Sequence, residues 1–102
     1  MAKFSVIATI TAKPGQGDAL AAAFGDFLEH VEGEPGTEHY VLHRSTMKPD
    51  LFFVTELYSD RAAFDAHAAS EGFAALTGKL SPLIESADLQ LAEPVRAVGV
   101  EL

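Results

Sequence analysis

The 102-residue chain has no cysteine and no tryptophan, and it is poor in cations. Without cysteine it can form no disulfide, iron–sulfur cluster, thiolate zinc site or cysteine nucleophile. A cysteine-free chain suits a reducing compartment, and the cytoplasm is the expected location. Lys and Arg number 7 against 15 Asp and Glu, a formal net charge of −8. A phosphate backbone would repel that excess, so nucleic acid is not an expected partner. No apolar run approaches the roughly 18 residues of a membrane span. The start, Met1-Ala2-Lys3-Phe4, runs directly into a strand pattern, so neither signal peptide nor membrane association is expected. There is no G-x-G-x-x-G, no P-loop and no G-x-S-x-G elbow, which removes the common nucleotide, flavin and serine-nucleophile sites. What is present is an ordinary globular composition, 48% hydrophobic and 22% charged, in a chain the size of one domain spanning 1–102.

Residues Phe4 to Ala12 carry Val6, Ile7, Thr9, Ile10 and Thr11, a β-branched density that predicts a strand. Phe4, Val6, Ala8 and Ile10 share one face; Ser5, Ile7, Thr9 and Thr11 share the other. After a turn at Lys13-Pro14-Gly15, the period becomes helical from Asp18. Leu20, Ala23, Phe24, Phe27, Leu28 and Val31 form one apolar stripe. Pro35 ends this helix within Gly33–Gly36. Thr37 to Ser45 alternates again, with His39, Val41 and His43 opposite Glu38, Tyr40, Leu42 and Arg44. A turn at Met47–Asp50 leads to a third strand, Leu51 to Tyr58. Ser59 is the expected N-cap of a helix over Asp60 to Ala69. A second helical stretch runs from Ser70 to Leu80, bent at Gly72 and ended by Pro82. The last strand is expected over Asp88 to Val100, interrupted at Pro94.

The order β-α-β-β-α-β is that of the ferredoxin-like α+β fold, a four-stranded antiparallel sheet with helices on one face. The other face is then bare, and nothing in a chain of this length remains to cover it. A second copy is the economical cover, so a homodimer is expected.

The four histidines do not predict a metal site. His39 and His43 are four apart, but on a strand that separates them by roughly 13 Å at about 3.3 Å per residue. Glu56 and Tyr58 share a strand face with Phe52 and Val54, and a carboxylate in such company needs a partner. His67 shares a helix face with Phe64 and is the expected partner of Glu56. A buried Glu–His pair holds an imidazole in one tautomer for proton abstraction, or it simply pins helix to sheet.

Two segments resemble a known family. Glu34-Pro35-Gly36-Thr37-Glu38-His39-Tyr40 resembles the "E-P-G-C-x-x-Y" segment of the antibiotic biosynthesis monooxygenase domain. Glu56 to His67 resembles its "E-x-W/Y-x-s-x-x-A-f-x-x-H" segment, and Ser70-Glu71-Gly72-Phe73 its "S-x-x-F". The resemblance extends over the whole chain. Thr37 stands where Cys is usual, and Tyr58 where Trp is frequent.

The resemblance implies a dimeric α/β barrel of two ferredoxin-like subunits, each with a small hydrophobic pocket between sheet and helices. It also implies oxidation of small aromatic or quinol-type substrates by molecular oxygen with no metal or flavin cofactor. A deprotonated phenol or quinol can itself donate an electron to oxygen, so the protein supplies a base, a dry pocket and donors for the anion. On this reading His67 or His43 is the base and Glu56 its orienter. Tyr40, Arg44 and Tyr58 are the donors, and Phe52, Phe64 and Phe73 the walls. The haem-degrading branch of the family is disfavoured. The first strand has no Asn, Tyr58 replaces the Trp, and Leu76-Thr77 occupies the place of the late-helix His. The alternatives to the monooxygenase are a non-catalytic barrel that binds a small apolar ligand and an isomerase of a small signalling molecule.

Overall fold

The computed structural model describes residues 2–102. Its elements run β1 (Phe4–Ala12), α1 (Gly17–Ala23), α2 (Gly25–Glu32), β2 (Thr37–Arg44), β3 (Leu51–Tyr58), α3 (Arg61–Ala68), α4 (Glu71–Leu80) and β4 (Ile84–Ala92). The strands form one antiparallel sheet in the order β2-β3-β1-β4, which is the ferredoxin-like arrangement. β1 and β3 have the limits their β-branched and alternating patterns predict, because both are central strands with a face buried against helices.

The first helical stripe is interrupted. α1 ends at Ala23 and α2 begins at Gly25, with Phe24 as the joint, where glycine weakens an otherwise continuous helix. The stripe survives the break: Leu20, Phe24, Phe27 and Val31 are all buried. They meet Leu76 and Leu80 of α4 and the sheet residues Ala8, Ile10, Ala12, Phe52 and Val54 in one core.

Four expectations are corrected. The N-cap of α3 is Asp60, whose carboxylate accepts from the Ala63 N–H, and not Ser59. The helical break falls at Ala69–Ser70, where Ser70 caps α4 by accepting from the Phe73 N–H, and Gly72 lies inside α4. β4 begins at Ile84 rather than Asp88 and ends at Ala92 rather than Val100, because its only partner is β1 and pairing stops where β1 does. In β2 the pairing shifts between Thr37 and His39. This bulge takes Glu38 out of step with Tyr40 and leaves Thr37 and Tyr40 opposite Tyr58 and Glu56.

The sheet face away from the helices is bare. Across it run the rows Val41–Thr55–Ile7–Gln90 and His43–Phe53–Thr9–Asp88. Among the described residues, no helix is long and apolar enough to cross a membrane.

Candidate active site

A cavity of about 430 Å³ lies between the helix-side face of the sheet and the helices α1 and α4. Ala8, Ile10 and Val54 floor it, while Phe24, Phe73, Leu76 and Leu80 wall it from the helices. It opens along β4, where Ile84, Ala87 and Leu89 line it. The helices leave this strand uncovered, so Leu89 is 53% exposed although it pairs with the buried Ala8.

Glu56 and Tyr40 are the ionisable side chains of the deep end. The register explains their meeting: Tyr40 lies opposite Glu56, and Glu56 opposite Val6, in one row across β2, β3 and β1. Glu56 is buried, and Oε1 accepts a hydrogen bond from the Tyr58 hydroxyl. Burial raises the pKa of Glu56. The Tyr58 hydrogen bond and the charge of His67 oppose that rise, and Glu34 adds to it. Tyr40 and Tyr58 are also raised, chiefly by burial, so both hydroxyls keep their protons as hydrogen-bond donors. Thr77, Ser81 and Asp88 complete the lining. A largely apolar cavity with the Glu56 carboxylate and the Tyr40 phenolic donor together can take a proton from a bound hydroxyl and hold the resulting oxygen anion.

His67 is buried, but its direct partner is Glu34 rather than Glu56. Its Nδ1 lies 2.8 Å from Glu34 Oε1. His67 stands behind the cavity wall within an aromatic cage formed by Phe27, Tyr40, Tyr58 and Phe73. Glu34 also accepts from the Thr37 hydroxyl at 2.9 Å and faces His30 Nε2 at 3.3 Å. Two close approaches hold this cluster. A Cβ at Gly36 would collide with Ala63 of α3, and one at Gly72 would collide with the His30 ring.

The other candidate residues lie elsewhere. His43 is on the bare sheet face, 2.9 Å from the Thr55 hydroxyl. Arg44 donates to the Pro49 carbonyl and to Asp18, with its guanidinium over the Phe52 ring, so it clamps the end of β2. Phe52 is core, and Phe64 packs between Phe4 and Tyr58. Of the sequence candidates, Tyr40, Glu56 and Phe73 line the cavity, and Tyr58 and His67 support it from behind. Glu34, Thr37 and His30 were not among the candidates. Their available signals are the i,i+4 spacing of His30 and Glu34 and the loop motif that contains Glu34. Among the described residues, no group of three His, Asp or Glu side chains is placed to hold a metal ion.

A sequence profile described as antibiotic biosynthesis monooxygenase matches residues 3–78, the segment that supplies every side chain of this cluster. The chain belongs to the antibiotic biosynthesis monooxygenase family. Solved structures agree with that placement. A structure titled antibiotic biosynthesis monooxygenase is 28% identical with a TM-score of 0.83, covering 91% of this chain and 99% of its own. A protein of Shewanella oneidensis is 28% identical with a TM-score of 0.87, and 94% of each chain is covered. A protein of Pseudomonas aeruginosa is 26% identical with a TM-score of 0.86, covering 94% of this chain and 97% of its own. A search of curated proteins found no match. Monooxygenase-type chemistry is therefore the general functional assignment for this family member.

Proposed function

We propose that the protein is a cofactor-independent monooxygenase for a small phenol- or quinol-type aromatic substrate. The observation that carries this reading is the buried Glu56 carboxylate, hydrogen-bonded to Tyr58, in a largely apolar cavity of about 430 Å³. Glu56 takes the substrate hydroxyl proton. The Tyr40 hydroxyl donates to the oxygen anion that forms, and Phe73 with Phe24 encloses the ring. The anion then gives an electron to molecular oxygen, and the two radicals recombine. Overall the substrate loses two hydrogens and gains one oxygen atom, while the second oxygen atom leaves as water. Dioxygen is the only oxidant, and no external reductant is required. His67 stands one layer behind Glu56, and His43 takes no part because the sheet separates it from the cavity.

Among the described residues, no Lys or Arg lines the cavity. A neutral aromatic is therefore favoured over a phosphorylated signal, which would need a Lys or Arg clamp. The working unit is a homodimer closed through the bare sheet face, and the cysteine-free sequence is compatible with the cytoplasm.

Oxygen uptake with a panel of hydroquinones tests the reaction. The expected result is one oxygen consumed per substrate, one labelled atom from ¹⁸O₂ in the product and no hydrogen peroxide. Tight binding of the panel with no uptake above the uncatalysed rate would make the chain a binding protein instead.

A further inference from the structure

The cavity wall formed by Tyr40 and Phe73 is the front of a second cluster of titratable groups. His67, 3% exposed, has its ring centroid 5.3 Å from that of Tyr58 and 5.6 Å from that of Tyr40. Its Nδ1 is 2.8 Å from Glu34 Oε1. An ionised carboxylate only accepts, so this nitrogen carries the hydrogen, and in the neutral ring Nε2 keeps a lone pair. The two ring nitrogens point apart, so Nε2 is directed away from Glu34. On the far side of His67 from the cavity wall lies a separate groove, lined by His30, Glu34 and His67.

We propose that Glu34, with His30 behind it, is a positioning residue that fixes His67 as the Nδ1–H tautomer and makes it the second proton carrier of the site. This rests on the reading of Glu56 as the group that deprotonates the substrate. The proton passes from the Glu56 carboxyl to His67 Nε2. Glu34 stays ionised and balances the charge of the imidazolium. The same proton returns when the departing oxygen becomes water, so nothing is added to the balance of the oxygenation.

The packing around Glu34 exceeds what a surface loop needs. Its two oxygens are held by Thr37, His67 and His30, and its side chain is only 15% exposed. The titratable groups facing His67 are Glu34 from the α2–β2 loop, His30 from α2, Tyr40 from β2, and Glu56 and Tyr58 from β3; α4 contributes the Phe73 ring. The His67 ring packs against Tyr58, whose hydroxyl donates to Glu56, so the two carriers stand on one chain of contacts.

Nitrogen-15 spectra of the imidazoles in the full-length protein test the placement without any substrate, with His67→Gln identifying the signal. The expected result is hydrogen on Nδ1 in the wild type and a shift toward hydrogen on Nε2 in Glu34→Ala. With a hydroquinone as probe, kcat should fall about 10²-fold in Glu34→Ala with KM unchanged, and Glu34→Asp should restore most of it. Should Glu34→Ala fail to fold, Glu34→Gln keeps an acceptor oxygen and removes the charge, and its kcat must still fall. Hydrogen on Nε2 in the wild type, or an unaltered kcat in a folded Glu34→Gln, overturns the proposal. If Glu56→Gln oxidises the hydroquinone normally, the reading of Glu56 fails separately, and the nitrogen spectra still decide whether Glu34 sets the tautomer.

Discussion

Glu56 and His67 are both buried and polar, yet their removal should move stability in opposite directions. The pKa of Glu56 is raised in the folded protein, mainly by burial. A group raised on folding contributes stability that is fully present below its unfolded pKa and is lost as pH rises through its folded value. Above the ordinary carboxylate range, keeping a titratable carboxyl at this position therefore costs the fold stability. Glu56→Gln keeps an acceptor for the Tyr58 hydroxyl and carries no charge. It should melt higher than the wild type at neutral pH, and the difference should shrink as pH falls toward the ordinary carboxylate range. Melting temperatures across that range check this, and a Glu56→Gln protein that melts lower than wild type at every pH would contradict it. The same variant should lose about 10²–10⁴-fold in kcat, the usual worth of a general base. His67→Ala instead leaves Glu34 without its closest donor, and should cost about 1–3 kcal/mol of stability in denaturant titration. A gain for one and a loss for the other is what a strained functional carboxylate beside a satisfied imidazole produces.

At the scale of elements, the central strands were legible because their side chains alternate between a buried and a bare face, as at Val54, Thr55 and Glu56. The ends of β4 were not legible, since an edge strand stops where its partner stops and Ile84 to Ala87 carries little β-branched character. Nor was the choice of Glu34 over Glu56 as the partner of His67. That pairing depends on how the α2–β2 loop seats against α3, and no periodicity records it. Gly72 belongs to the same class. Its place in the sequence suggests a bend, but inside α4 it makes room for the His30 ring, and through it for Glu34. Gly72→Ala is therefore expected to destabilise by about 1–3 kcal/mol, the range for overpacking. Gly78 is an internal control in the same helix, exposed, with nothing within 4 Å of an added Cβ. Gly78→Ala should stabilise by roughly 0.5–1 kcal/mol through helix propensity alone. Parallel denaturation of the two variants checks the pair, and equal shifts for both would remove the packing argument.

For the whole molecule, the unresolved demand is the bare face of the sheet. Ile7 at 47%, Val41 at 41% and Phe53 at 36% exposure lie on adjacent strands, with Thr9 and Thr55 between them and a carboxylate only at the β4 edge, on Asp88. An apolar patch across three adjacent strands has no stable place in water for a chain of this size, and among the described residues no segment returns to cover it. Stacking two such faces buries both, and it leaves the cavities, which lie on the opposite side of each sheet, free to bind substrate. The contact should exceed roughly 1,000 Å² in total, the size expected of a specific interface. Sedimentation at micromolar concentration should therefore give twice the 10.8 kDa chain mass for the wild type. Phe53 lies between His43 and Thr9 on that face, so Phe53→Glu would place two new charges at the seam, one carboxylate from each copy, facing its twin or the partner's Asp88. That variant should sediment as a monomer while its near-ultraviolet dichroism, which reports the aromatic packing around His67, stays native. A wild type that remains monomeric at micromolar concentration would show that the bare face needs no second copy, and the homodimer would then be withdrawn while the cavity and its carboxylate stood unchanged.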